Sequence, residues 1–143
     1  MSSPPPVSVR VTRRFDASAE RVFDAWLDPA VAGRWMFATP SGRMVRAETD
    51  PRVGGAFVFV DRRDGEDVEH RGEYVEIVRP SRLVFAFSVP KYSAQVDRVT
   101  VEITPSGGAC VLTLTHERVD PEYAERTEAG WTAMLEHLAT IVR

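Results

Sequence analysis

The sequence predicts an α+β fold: a curved antiparallel sheet of about seven strands, two short helices after the first strand, and a long C-terminal helix. Two observations carry this. Nearly everything between Val45 and His116 follows strand alternation, whereas Asp120 to Arg143 changes to a helical period with an apolar stripe of Trp131, Met134, Leu135, Leu138 and Ile141. A third is that each break between strands carries turn chemistry. One amphipathic helix needs a broad apolar surface to lie on, and a curved sheet that grips it tends to leave a cavity between them. A pocket for a small or lipid-like molecule is therefore expected.

The elements follow in order. Val7, Val9, Val11 and Phe15 alternate with Ser8, Arg10, Thr12 and Arg14, giving a half-buried strand over 7–15. Ser18 is placed to cap a short helix with Glu20 in its first turn and Val22, Phe23, Trp26 and Leu27 on one face. Asp28-Pro29 reads as a cap and a first-turn proline opening a second short helix that reaches Trp35. Beyond a turn at Pro40-Ser41-Gly42, strands are expected at Met44–Glu48, Ala56–Asp61, Glu69–Val78, Leu83–Val89, Val96–Thr104 and Ala109–Glu117. Asp50-Pro51, Gly54-Gly55, Asp64-Gly65, Pro80-Ser81 and Ser106-Gly107-Gly108 supply the hairpin turns, and the connections are too short for parallel crossovers. In the last helix Gly130 costs about 1 kcal/mol of helix propensity relative to alanine, for which close packing is the expected compensation.

Length and composition narrow the class. The 143 residues leave room for one core, so residues 7–143 are expected to form a single domain behind a disordered Pro-rich lead over 1–6. The lead lacks the apolar segment of a secretory signal, which makes a cytoplasmic location the expectation. No apolar run approaches the roughly 20 residues of a membrane span. With 18 basic and 21 acidic residues, and acidic neighbours Asp61, Asp64, Glu66 and Asp67 diluting Arg62 and Arg63, nucleic acid is not an expected partner. That arginine pair reads as a solvated hairpin tip. Cys110 is the only cysteine and falls in an apolar strand pattern, as a small core residue would.

Several segments resemble the START-related helix-grip superfamily often called SRPBCC, and within it the bacterial group similar to the activator of the Hsp90 chaperone ATPase. They are FDASAERVFDAWLDP (15–29), Trp35, RVGGAF (52–57), GEYVEIVRPSRLVF (72–85), LTLTH (112–116) and GWTAML (130–135). The resemblance runs from Val9 to Val142 and implies a helix-grip fold. It is less specific for function, because the superfamily includes lipid carriers, metabolite binders, aromatic polyketide cyclases and domains without known activity. Met36 stands where a second tryptophan is frequent, which argues against an occupant that depends on stacking there.

Alternation places Leu83, Phe85 and Phe87 on one strand face, and Leu112, Leu114 and His116 on another, so His116 should point inward. It is then either a satisfied strand-end histidine or a ligand contact. Ligand-binding candidates before the sheet's centre are Trp35, Phe37, Arg52, Phe57, Phe59 and Glu73. Those after it are Phe85, Phe87, Tyr92, His116, Trp131, Met134 and Leu138. Arg52 could meet an anion at the cavity mouth or pair with Glu48 or Asp50. Glu73 and Tyr74 lie on opposite faces, and which one looks inward stays open. No metal site is expected, since His70, His116 and His137 are far apart and there is no HxH, HExxH or cysteine pair. RVGG lacks GxGxxG spacing and opens no helix, so no nucleotide or other cofactor is expected.

Three functions remain. The leading one is a noncatalytic binding domain with a hydrophobic or amphipathic small molecule as partner. The second is a polyketide cyclase-like cavity enzyme in which at least two of His116, Arg52, Tyr92 and Glu73 converge on a substrate. The third, implied by the resemblance, is an interaction module with a homodimer or a chaperone as partner, favoured if the core is filled.

Overall fold

A computed structural model describes residues 5–37 and 42–142. The chain runs β1 (Val7–Phe15), α1 (Ala19–Leu27), α2 (Pro29–Trp35), β2 (Arg43–Thr49), β3 (Ala56–Arg63), β4 (Glu66–Val78), β5 (Arg82–Ser88), β6 (Asp97–Ser106), β7 (Ala109–Val119) and α3 (Ala124–Val142). All pairings are antiparallel, and the seven strands lie in the order β1-β7-β6-β5-β4-β3-β2. The first strand therefore pairs with the last, and the sheet wraps around α3 with α1 and α2 alongside. Part of the turn expected at Pro40-Ser41-Gly42, and most of the N-terminal lead, lie outside the described residues.

Local chemistry explains the element ends. The Ser18 hydroxyl accepts the Arg21 N–H and starts α1. Asp28 closes α1 by donating its N–H to the Asp24 carbonyl, and opens α2 by accepting the Ala30 N–H on its carboxylate. One residue thus serves both helices. At the β2–β3 connection Gly54 sits at φ +85°, a left-handed conformation that glycine adopts without steric cost, and its N–H reaches the Tyr74 carbonyl.

Two expectations about the C-terminal helix are corrected. The segment does not begin as α-helix at Asp120: Pro121–Tyr123 form a 3-10 turn, with the Asp120 carboxylate accepting the Glu122 N–H at 2.9 Å. Gly130 is not close-packed either, because a side chain there would meet nothing within 4 Å. The buried stripe is Trp131, Leu135, Leu138 and Val142, while Met134 and Ile141 are only half-buried. Spacings of four, three and four residues follow the 3.6-residue period, which carries the stripe past Ile141 to its neighbour.

Candidate functional site

The concave face of the sheet is apolar along most of its length and polar at one end. Alternation sends Phe57 and Phe59 of β3, Tyr74 of β4, Leu83 and Phe85 of β5, Val99 and Val101 of β6, and Leu112 and Leu114 of β7 into the core. Continuing the same rows brings Asp61, His70, Phe87, Asp97 and His116 to one end, each from a successive strand. The register makes them neighbours: His70 lies opposite Phe59, Phe87 opposite both Gly72 and Asp97, and His116 opposite Val99. Ring centroids of His70 and Phe87 are 6.3 Å apart, and those of Phe87 and His116 are 5.9 Å apart.

Both histidines are buried and have both ring nitrogens engaged. The Trp131 indole N–H donates to His116 Nδ1 at 3.0 Å, so the ring proton sits on Nε2, which donates to the Asp97 carboxylate at 2.8 Å. Asp97 in turn accepts from the Gln95 amide at 2.6 Å. His70 has the opposite tautomer: Nδ1 donates to the Phe59 carbonyl at 3.3 Å, and Nε2 accepts from the Arg63 guanidinium at 3.4 Å. Burial pushes the His70 pKa down to about 4, so the ring is neutral near pH 7. Arg63 also donates from Nε to Asp61 at 2.8 Å, and the Asp61 side chain is 0% exposed. The solvated hairpin tip expected there is thus corrected: Arg62 pairs with Asp67 at the surface, but Arg63 turns in toward Asp61.

Phe37 closes this end from above. It follows α2 directly with φ +59°, a conformation that a non-glycine residue takes only at a cost. Its ring compensates by stacking on His70 at 4.5 Å and 9°, and on Phe87 at 4.9 Å and 4°. Its backbone N–H points to Met134 Sδ at 3.0 Å, joining the end of α2 to α3. Deeper in, Trp26, Met36, Phe57, Phe59, Tyr74, Leu83 and Phe85 enclose a space of about 10 Å³. That is near the lower limit for a single water molecule. The sheet, Trp26 of α1 and Met36 thus close tightly on each other in this region. Trp26 is 1% exposed, and its indole N–H meets no hydrogen-bond acceptor among the described residues.

The candidate residues divide by depth. Phe37, Phe87, His116, Trp131 and Met134 gather at the polar end, and Phe57, Phe59 and Phe85 line the gap beneath it. Trp35 and Leu138 are fully buried, with the Trp35 indole N–H on the Ala25 carbonyl at 3.0 Å. Arg52, Glu73 and Tyr92 do not join them. Arg52 is exposed and paired with Asp50 at 2.9 Å, Glu73 faces solvent because Tyr74 takes the inward position, and Tyr92 is 65% exposed in the β5–β6 connection. The polar side chains named for a cyclase therefore do not converge with His116. Burial raises the Cys110 thiol pKa, in keeping with its place in the core.

Comparison with known proteins places this geometry. Residues 16–143 match the family described as Activator of Hsp90 ATPase homolog 1-like protein. The chain belongs to this family. Among solved structures, this Activator of Hsp90 ATPase homolog 1-like chain is similar to protein CV1439 from Chromobacterium violaceum, at 25% identity and a TM-score of 0.87 over 94% of this chain and 96% of that one. It is similar to Mll3558 from Rhizobium loti at 29% identity and a TM-score of 0.76, covering 94% and 95%. It shares the fold of the AHSA1-like protein from Aeromonas hydrophila at 20% identity and a TM-score of 0.81, covering 94% and 90%. No curated protein matches the chain. Among the described residues no helix is long and apolar enough to cross a membrane, and no three His, Cys, Asp or Glu side chains are grouped to hold a metal.

Sequence reasoning did not select Asp61, His70, Asp97 or Trp26 for the site. A signal for three of them was present. Asp97 shares its strand parity with Val99 and Val101. Asp61 shares its strand parity with Phe57 and Phe59, and His70 shares that of Tyr74, so each belongs to an inward row. Nothing local marks the Trp26 indole N–H, whose surroundings arise from other strands and helices.

Proposed function

We propose that residues 7–143 act as one cytoplasmic binding domain for a hydrophobic or amphipathic small molecule, taken between α3 and the concave face of the sheet. The observation that carries this reading is the segregation of that face: its length is lined by aromatic and aliphatic side chains, and its polar groups gather at one end around His70 and His116. A ligand with an apolar body and a polar end matches such a surface, and the family's fold is in general a ligand-binding one. The internal hydrogen bonds of both histidines fit a binding role better than a proton-transfer role, which needs a nitrogen directed at the substrate. Native mass spectrometry of gently purified protein tests the reading. A retained small molecule is expected; protein that emerges unliganded and takes up no apolar probe would sink it.

A second reading is favoured by the narrowness of the space beneath Phe37. At about 10 Å³, this part of the core needs no occupant, as suits a module that acts through its surface on a chaperone. Stimulation of an Hsp90 ATPase by the purified chain, undiminished when core-lining Phe85 is changed to Leu, would favour it over binding.

A further inference from the structure

Two features of the core carry a cost, one at Trp26, which lines the gap, and one at Phe37, which directly follows Met36 of its lining. Phe37 adopts φ +59°, outside the usual range for an aromatic residue, in order to lay its ring over the His70 and Phe87 rings, which stand side by side with centroids 6.3 Å apart. Trp26 buries an indole N–H without an acceptor among the described residues, although buried donors in folded proteins are nearly always satisfied. Met36, adjacent to Phe37, and Phe59, whose ring lies 5.8 Å from that of Phe37, both line the space that Trp26 lines. Met36 and Phe37 together therefore separate the polar end from that space.

We infer that Met36 and Phe37 plug a ligand site, and that the ligand is a flat aromatic molecule bearing a hydrogen-bond acceptor, received by the Trp26 indole N–H. The inference rests on the binding-domain reading and adds the ligand's chemical class. When the plug withdraws, the parallel faces of His70 and Phe87 accept a planar ring in place of Phe37, because stacking rewards flatness and not bulk alone. The residue at position 37 gains by leaving, since its backbone can return to an ordinary conformation. Neutral His70 presents a ring face without a charge that the ligand would have to offset. A carbonyl or ether oxygen near Trp26 removes the cost of its unmet donor, and an alkyl group of the same shape does not.

The test uses two probes of nearly equal shape, acetylnaphthalene with an acceptor and ethylnaphthalene without, on the full chain and on two variants. Trp26→Phe is expected to lower the affinity for acetylnaphthalene relative to ethylnaphthalene by about ten-fold, the value of one net hydrogen bond. Phe37→Gly, which removes the plug and tolerates positive φ, is expected to tighten both probes several-fold while keeping their ratio. In the unmodified chain, acetylnaphthalene alone should move the Trp26 indole N–H resonance downfield, a readout that holds even where a variant fails to fold. An affinity ratio untouched by Trp26→Phe together with an unmoved indole resonance overturns the acceptor assignment. Equal probe affinities in Phe37→Gly and the unmodified chain overturn the plug. Either result leaves the binding-domain reading standing if native mass spectrometry still finds a retained molecule. Absence of that molecule together with no uptake of either probe would refute the binding-domain reading itself.

Discussion

The Trp131 indole N–H and His116 Nδ1 meet at 3.0 Å inside the core, and this bond ties α3 to β7. It also sets the histidine tautomer, since a nitrogen that accepts from the indole cannot carry the proton. Trp131→Phe keeps an aromatic ring but leaves His116 Nδ1 unsatisfied, and should cost about 1 to 3 kcal/mol. Trp131→Ala adds a void and should cost about 3 to 5 kcal/mol. Chemical denaturation measures both, and a Trp131→Phe loss of only a few tenths would show that the bond contributes nothing net.

His70 should make stability depend on pH. Its folded pKa is lowered by burial to about 4, against 6.5 when unfolded. Between these values the unfolded chain binds a proton that the folded chain does not, so stability rises with pH across this window. The contribution is complete above about pH 6.5, and about 3 kcal/mol is lost as pH falls toward 4. His70→Asn, which keeps a donor for the Phe59 carbonyl, should flatten this part of the profile. An unchanged slope between pH 4 and 6.5 would mean that other groups produce it.

Two glycines should respond in opposite directions to the same substitution. A Cβ on Gly72 would run into the Ala86 carbonyl oxygen and the Phe57 ring, so Gly72→Ala should destabilise by at least about 2 kcal/mol. At Gly130 a Cβ meets open space within an α-helix, and Gly130→Ala should stabilise by about 1 kcal/mol. Thermal denaturation of both variants checks the pair, and a loss at Gly130 would point to a surface role for the bare backbone there.

Losing the Asp28 carboxylate should weaken the start of α2 and spare the end of α1, because the carboxylate accepts the Ala30 N–H of α2 whereas the backbone N–H that ends α1 remains in any substitution. Asp28→Ala should cost about 1 kcal/mol, and Asp28→Asn or Asp28→Ser much less, since each retains a side-chain oxygen for the cap. Equal losses in all three variants would assign the effect to charge instead.

The order of strands and helices was legible because periodicity and turn chemistry act over a few residues. The alternation of Val9, Val11 and Phe15, the Ser18 and Asp28 caps, and the glycine turns specify local conformation without reference to distant parts of the chain. Inward rows follow from the same parity, which is why Phe85 and His116 were found in the core, as the helical period found Trp131. Asp61 and His70 obey that parity as well, yet a carboxylate between Val60 and Arg62 reads locally as solvent-facing. Arg63, two residues along the same strand, pairs with Asp61, but only pairing across strands supplies the Phe59 carbonyl that makes the burial of His70 tolerable.

Tertiary structure alone decided the chemistry of the site. Glu73 and Tyr74 have equal claims by alternation, and the wrapping of the sheet gave the core to Tyr74. The stacking of Phe37 on His70 and Phe87, and the line from Asp97 through His116 to Trp131, join residues on different elements, the latter pairs 19 and 15 positions apart. Local rules determine which face a side chain occupies, but the partner of a buried polar group depends on which strand and helix the whole fold sets beside it.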